Sequence, residues 1–446
     1  MKSRVPLYCL WLLVVPLLLT LRLQYIISQS SRCLKLPLRG SPLSWGSLYM
    51  PLTASDAGHI NQSVAVEEFK DMFLAPVLEA YRQAAEQSYM ETPRRRFRSG
   101  YIPKVLMYAN KLHVTSDWLF AHMYDINEGH CPLPCIITAD ISQVTSADAV
   151  LIHLSSVRSK ELLIRDLGRR DASQPWIMFE VETHFRANPF YFNDYKTLNG
   201  VFNRTMHYRQ DSDIHVLHGF VVRRGGEASL LPPSWRRQPE LQQINNTQRL
   251  AVAFVSNCDD DSGRLKYIEA LKKHAPIDVY GKCGDLKCGY SLYAYQDYRI
   301  DWEPCMQYAG HHYLFYLAFE NALCKDYVTE KLYNLLYYSI VPVVLGAADY
   351  SALLPPKSYI NALDYTPEQL ARRLQYLALH PKEYEAYLTW RHYYQPSTVG
   401  GSRVLCDLCV QLYDQDLYKH NVIDDFYDWF VTQANCNASG TVSSQD

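Results

Sequence analysis

Between an apolar run, Tyr313 to Phe319, and a helical stretch opening near Thr329, the chain carries Asn321, Tyr327, Glu330 and Lys331. In open parallel sheets, ligands sit beyond the carboxyl ends of the strands, where helix N-termini present unsatisfied N–H groups and the positive end of a dipole. Lys331 in the first turn would add a full counter-charge for a diphosphate, and Glu330 would offer acceptors to hydroxyl groups. The same spacing also describes an amphipathic helix whose Glu and Lys are solvated. A second constellation is Trp176-Ile-Met-Phe-Glu180-Val-Glu182. Strand side chains alternate, so the two carboxylates are expected on one face. One of them suffices as a general base when the leaving group is a diphosphate whose charge is already compensated. Solvated charges at a strand end are the competing reading.

These groups need elements to hold them. Lys104 to Tyr108, Ala147 to Leu154 and Trp176 to Val181 read as strands among helical stretches, an α/β pattern. A second series follows a polar, proline-containing stretch from Pro232 to Gln248. It has strands at Leu250 to Val255, Ile277 to Tyr280, Tyr313 to Phe319 and Val341 to Leu345, with helices at Arg264 to His274 and Thr329 to Ser339. Thr366-Pro-Glu-Gln369 opens a further helix as a capping box with proline in its first turn. Strand-helix-strand units imply parallel pairs with crossover helices, so two α/β domains with a cleft between them are expected.

The chain has 446 residues, more than one ordinary core holds. Its 44 basic and 46 acidic residues are spread along its length, which excludes the basic field a nucleic-acid binder needs. The 35 Tyr and 8 Trp suit sugar-stacking surfaces as well as a large core. Lys2 and Arg4 precede an apolar run from Val5 to Leu21, followed by Arg22, Ile26 and Ile27. No small-residue cleavage pattern follows the run, so a retained signal anchor is the expectation. Residues 65 to 90 have helical spacing within a weakly patterned stem. Asn-x-Ser/Thr acceptors begin at Asn61, Asn203, Asn245 and Asn437, and such sites matter only in the secretory lumen. The close cysteine pairs Cys131/Cys135, Cys283/Cys288 and Cys406/Cys409 lack a second half-site for zinc, which favours disulfides in an oxidising compartment.

The segment from Phe319 to Leu332, followed by Val341-Pro-Val-Val-Leu-Gly346, resembles the signature of the α1,3-fucosyltransferase family, invertebrate-like in its cysteines Cys283, Cys288 and Cys324. The likeness extends to Tyr208-Arg-Gln-Asp211-Ser-Asp213, Val255-Ser256-Asn257 and Cys135-Ile-Ile-Thr-Ala-Asp140, and runs from about Tyr101 to Leu412. It implies an inverting hexosyltransferase that moves L-fucose from GDP-fucose in α1,3 linkage to N-acetylglucosamine of a glycoprotein glycan, in the N-glycan core or a lactosamine antenna. A catalytically inactive glycan-binding Golgi protein of the same fold is the alternative. The implied fold is α/β of GT-B type, with two Rossmann-like domains. The implied organisation is a cytosolic tail 1–4, a transmembrane signal anchor 5–27, a stem 28–100, an acceptor-side domain 101–245, a GDP-fucose-binding domain 246–402 and a disulfide-tethered tail 403–446. Golgi membrane residence follows, single-pass type II with a lumenal catalytic part.

Residue by residue, the resemblance assigns Asn321, Tyr327, Glu330 and Lys331 to donor binding, together with Ser256 and Asn257. Arg264, opening the helix after Val-Ser-Asn, falls on a phosphate-contacting arginine. Glu182 is selected as the base, and the role of Glu180 stays open. Cys131, Cys135, Cys406 and Cys409 are implied to form two bridges between the tail and the N-terminal domain, with local pairing as the alternative. Asp211-Ser-Asp213 and Asp259 to Asp261 could be read as a metal-diphosphate site of the other common transferase fold. Because basic groups already supply the counter-charge, no metal is expected to be required, a divalent ion acting at most as a stimulant.

Overall fold

The computed structural model describes residues 100–109, 131, 133–187, 194–224, 248–288, 303–398 and 401–436. The expected anchor, the stem to residue 99 with its helix at 65–90, and the acceptors Asn61, Asn245 and Asn437 lie outside the described residues. Among the described residues, no helix is long and apolar enough to cross a membrane.

The first half is built on six parallel strands: β1 (Lys104–Tyr108), β2 (Ile136–Thr138), β3 (Ala149–His153), β4 (Trp176–Glu180), β5 (Arg204–His207) and β6 (Ile214–His215), in spatial order β2-β1-β3-β4-β5-β6. A parallel sheet must be covered on both faces. On one face, the helix Lys160–Leu167 packs with Phe202, Phe426 and Phe430 against Val150, Ile152 and Met178. The other face is covered from far along the chain, by Leu405, Leu408 and Leu412 against Val105, Leu151 and Phe179. The helix Gly401–Gln411 carries most of this layer, so the segment expected from residue 403 as a disulfide-tethered tail also contributes to the core.

Strand β7 (Gly219–Arg223) leaves this sheet for the second half. There β8 (Arg249–Phe254), β9 (Ile277–Tyr280), β10 (Tyr313–Phe319), β11 (Val341–Leu345) and β12 (Ile360–Asn361) form a parallel sheet in order β12-β11-β10-β8-β9. Helices Arg264–Lys272 and Pro367–Leu379 cover one face, and Leu332, Leu336, Tyr338 and Trp390 pack on the other. The capping box at Thr366 and Gln369 forms in both directions. Strand β13 (Tyr394–Thr398) pairs antiparallel with β7, and the chain then returns to the first half.

Cys131 is bonded to Cys406 and Cys135 to Cys409, which pins the returning helix to the first sheet. In chain-entropy terms, the first bridge closes so long a loop that it removes about 6 kcal/mol of unfolded-state freedom, while the second closes little that is new. Cys283 and Cys288 are not partners of one another: the pairs are Cys258–Cys283 and Cys288–Cys305. Asn203 is corrected as a glycan acceptor. It is buried, its side-chain amide donates to Asn421 O, and its oxygen accepts Trp176 N–H at 2.9 Å, so a glycan there would displace part of the core.

Gly219 begins β7 where the strand crosses Tyr333, and an added methyl would overlap the Cβ and Cγ of the Tyr333 side chain. Tyr333 is itself buried. Gly219→Ala is therefore expected to destabilise the fold by about 1–3 kcal/mol through overpacking. A chemical-denaturation midpoint equal to that of the parent chain would contradict this contact.

Candidate active site

The carboxyl ends of β4 and β10 bring their loops together. Strand β4 ends at Glu180, and Glu182, two residues on, is half-buried at the boundary of the two halves. The Tyr327 O–H donates to Glu182 Oε2 at 2.7 Å. Tyr327 is fully buried in a small cluster with Tyr208, Ala322 and Cys324, and meets the Tyr208 ring edge-on at 4.9 Å. Burial pushes the Glu182 carboxyl above its ordinary 4.5, and Glu330 adds to this, whereas Lys331 and the Tyr327 bond pull the other way. A carboxylate raised in this way is better matched to proton abstraction near neutral pH.

Lys331 sits between three acids. Its Nζ donates to Thr329 Oγ1 at 2.7 Å and lies 3.2 Å from Glu320 Oε2 and 3.6 Å from Glu330 Oε1. Burial alone would lower its pKa, but Glu320, Glu330 and Glu182 outweigh that and hold it above the ordinary lysine value. Glu320, almost wholly buried, also accepts Thr329 N–H and O–H. Glu330 opens toward the cleft, 3.5 Å from His218 Nδ1. Crowding by protein would raise its pKa, yet Lys331 and His218 hold it well below the usual carboxylate range.

The helix expected over Thr329 to Ser339 is only Glu330–Tyr333, one turn followed by irregular turns. So short a helix has little macrodipole, and the N–H groups of Thr329 and Lys331 turn to Glu320 and to the Thr329 hydroxyl. Positive character here therefore comes from the Lys331 ammonium.

Arg264 opens its helix, as expected, but is buried, and its guanidinium donates to Phe319 O at 2.9 Å and Asn257 O at 3.1 Å. Its Nε, and Oδ1 of the neighbouring Asn321, are buried without a hydrogen-bond partner among the described residues. Both are polar atoms that a bound polar ligand could satisfy. Arg264 and Lys331 feel one another electrostatically. Asn257 contributes its carbonyl, Ser256 is exposed at the end of β8, and the Cys258–Cys283 bridge pins their loop.

The acidic pairs are structural. Asp211 pairs with Arg209, and Asp213 accepts Thr205 N–H at 2.8 Å. The Asp259 to Asp261 loop is not simply solvated: Asp260 accepts Arg264 N–H at 3.0 Å, and Asp261 lies 2.9 Å from Arg186 Nε of the first half. Sequence reasoning missed Glu320, His218, Arg186 and Gln210. For Glu320 a signal existed, since an acid directly after a fully apolar strand needs a buried cation. His218, Arg186 and Gln210 have no such signal, because their partners come from the other half.

Residues 244–429 match the family model for the C-terminal part of glycosyltransferase family 10 (fucosyltransferase), and residues 103–219 match that for the fucosyltransferase N-terminal part. Alpha-(1,3)-fucosyltransferase C of Drosophila melanogaster is 32% identical over 321 residues, covering 68% of this chain and 71% of that protein. A 3-galactosyl-N-acetylglucosaminide 4-alpha-L-fucosyltransferase of Bos taurus is 34% identical, covering 66% and 74%. A 4-galactosyl-N-acetylglucosaminide 3-alpha-L-fucosyltransferase of Homo sapiens is 33% identical, covering 64% and 73%. A crystal structure of an alpha1,3-fucosyltransferase aligns with a TM-score of 0.46 at 16% identity, over 77% of this chain and 98% of that one.

The Tyr327 hydrogen bond favours the ionised form of Glu182. Tyr327→Phe is expected to raise the Glu182 pKa further, so that the acid limb of the pH dependence of turnover moves to higher pH. An unmoved limb, or one displaced to lower pH, would show that the bond does not act on Glu182.

Proposed function

The chain belongs to glycosyltransferase family 10, the fucosyltransferases, and on that premise we propose that it transfers L-fucose from GDP-fucose to an N-acetylglucosamine hydroxyl of a glycan, forming an α1,3 linkage with inversion. The observation that carries this reading is the hydrogen bond between Glu182 and Tyr327, which joins a raised carboxylate on one half to the cation-bearing loop of the other.

In this reading, Glu182 takes the proton of the acceptor hydroxyl as its oxygen bonds to the anomeric carbon of fucose. The bond from that carbon to the diphosphate breaks, and the electron pair leaves with GDP. Lys331 and Arg264 balance the charge that grows on the departing phosphate in this reading, an electrostatic effect that strengthens in the transition state. Protein cations supply this counter-charge, so transfer proceeds without a required metal. Two parallel sheets whose strand ends meet at one site support a GT-B arrangement, with donor on the second half and acceptor on the first. The relatives named above are transferases, which leaves the inactive glycan-binding alternative without support. Residence in the Golgi membrane as a single-pass type II protein is supported by the apolar run within residues 5–27 and by the disulfides among the described residues, which suit an oxidising lumen.

Glu182→Gln is expected to retain GDP binding and to lose roughly two to four powers of ten in kcat, measured with GDP-fucose and a panel of N-glycan and lactosamine acceptors. Full activity in that variant would remove Glu182 from the mechanism. In the parent chain, kcat/KM should fall on the acid side with a midpoint above 4.5, because burial raises Glu182 and the base works only when ionised. A midpoint at or below that value would contradict the assignment. Lys331→Ala should weaken GDP binding in a calorimetric titration by roughly tenfold or more, as loss of a charge-assisted contact implies. Unchanged GDP affinity would refute the diphosphate role.

A further inference from the structure

Glu180 is the one carboxylate of the β4 segment left without a role. It does not share a cleft-facing surface with Glu182, as strand alternation suggested. Its side chain is only 1% exposed, and burial pushes its pKa up to about 7. A carboxylate is costly in such a place unless its oxygens are well used. Here they are. Oε2 accepts Ser155 N–H at 3.1 Å and the Ser155 hydroxyl at 2.6 Å, and Oε1 accepts Val181 N–H at 2.9 Å and Glu182 N–H at 3.2 Å.

The last two bonds matter most. Strand β4 is paired with β3 and β5 only as far as Phe179 and Glu180, opposite His153 and His207. Beyond that point, the N–H groups of Val181 and Glu182 have no neighbouring strand to bond. The Glu180 carboxylate takes the place of that strand and bends the chain into the cleft. On the opposite side, His207 Nε2 lies 3.3 Å from Glu182 O. A carbonyl can only accept, so the ring nitrogen there carries the proton. His207 is fully buried, and burial depresses its pKa to about 3, so it is a neutral donor. Glu182 is thus held at three points: its N–H by Glu180, its C=O by His207 and its carboxylate by Tyr327.

We propose that Glu180 is a positioning residue for fucosyl transfer, a buried carboxylate that stands in for the missing sheet partner of Glu182 and so fixes the direction in which the base meets the acceptor hydroxyl. The proposal rests on the reading of Glu182 as the base. Glu180 is buried with both carboxylate oxygens taken by protein groups, so its removal should spare binding and slow the chemical step, because small errors in the placement of a reacting group cost rate steeply.

The test compares Glu180→Gln, Ser155→Ala and Glu182→Gln in the full chain, measuring kcat, KM for GDP-fucose, calorimetric GDP affinity and thermal midpoint. The glutamine keeps the shape but turns an NH2 toward N–H donors on one side, so kcat should fall about ten- to a hundredfold. The KM for GDP-fucose and the GDP affinity should stay within about twofold, since the donor-side groups are untouched. Ser155→Ala, which loosens Glu180 without touching the β4 turn, should show the same split to a smaller degree and serves if the glutamine variant does not fold. Parental kcat in Glu180→Gln beside an inactive Glu182→Gln would overturn the positioning role alone. A fall in kcat, GDP affinity and thermal midpoint together would also overturn it, since that is the pattern of general unfolding. Full activity in Glu182→Gln would take down the base assignment and this proposal with it.

Discussion

A hydrogen bond from a phenol on one half of the molecule to a carboxylate on the other can persist only if the two halves hold their spacing to within a few tenths of an ångström. Tyr327 and Glu182 impose this demand, and much of the fold answers it. The chain crosses to the second half at β7 and comes back after β13, and these two crossings pair with one another as an antiparallel ribbon. Its final helix then supplies a whole layer of the first core and is bridged there twice. Close to the site, Gln210 bonds both to the Asp326 carboxylate and through its backbone N–H, and Arg186 faces Asp261. Asp326 adopts a φ of 63°, a left-handed conformation that Asp tolerates better than most residues and that lets its carboxylate meet Gln210 while Tyr327 turns inward.

The electrostatics of the cleft follow from burial as much as from charge. Lys331 is surrounded by Glu320, Glu330 and Glu182 at graded depth. Glu320 lies in the core and cannot leave, so it anchors the ammonium and orients Thr329. Glu330 is open to solvent and to His218, where screening leaves its pull on Lys331 weaker in free energy than its proximity suggests. Glu182 is held between a cation that favours its ionised form and an apolar surrounding that opposes it, and the second effect prevails. A base that is too well stabilised abstracts protons poorly, so this balance is part of its competence and not a defect of packing.

Much of this was legible in the residues, and what was not has identifiable causes. β4, β10 and β11 are doubly covered parallel strands, so their apolar runs stand out, and their observed ends lie within a residue or so of those expected. β5 does not stand out: three of the four residues in Arg204-Thr-Met-His207 are polar, and Arg204 is buried with its guanidinium on the carbonyls of Asp416 and Lys419 far along the chain. The return of the C-terminal segment was implied by the resemblance through Cys406 and Cys409, but that its helix would cover one face of the first sheet was not, since a helix does not announce which sheet it will cover. At the site, residue types and motif order marked Glu182, Tyr327 and Lys331; Glu320 left a signal as an acid directly after an apolar strand, whereas His218 emerges only in three dimensions. Glu180 was misplaced because alternation holds only while a strand lasts, and the strand ends on that residue.

The cysteines add the last constraint. Cys324 lies three residues before Tyr327 and is bonded to Cys436, whose segment packs through Phe430 into the first core. Lys325 N–H donates to Ala434 O at 2.9 Å beside the bridge. The loop that carries the donor-side groups is therefore fastened covalently to the half that carries the base, although by fold it belongs to the other sheet. The bridge lies three residues from Tyr327, whose hydroxyl donates to Glu182, so the covalent link and the hydrogen bond join the same two halves close to one another. A short covalent tether beside a hydrogen bond raises the effective concentration of its two partners, and the bond re-forms readily after each thermal opening. The bridge thus supports catalytic geometry more firmly than charge alone, which salt screens wherever it is exposed.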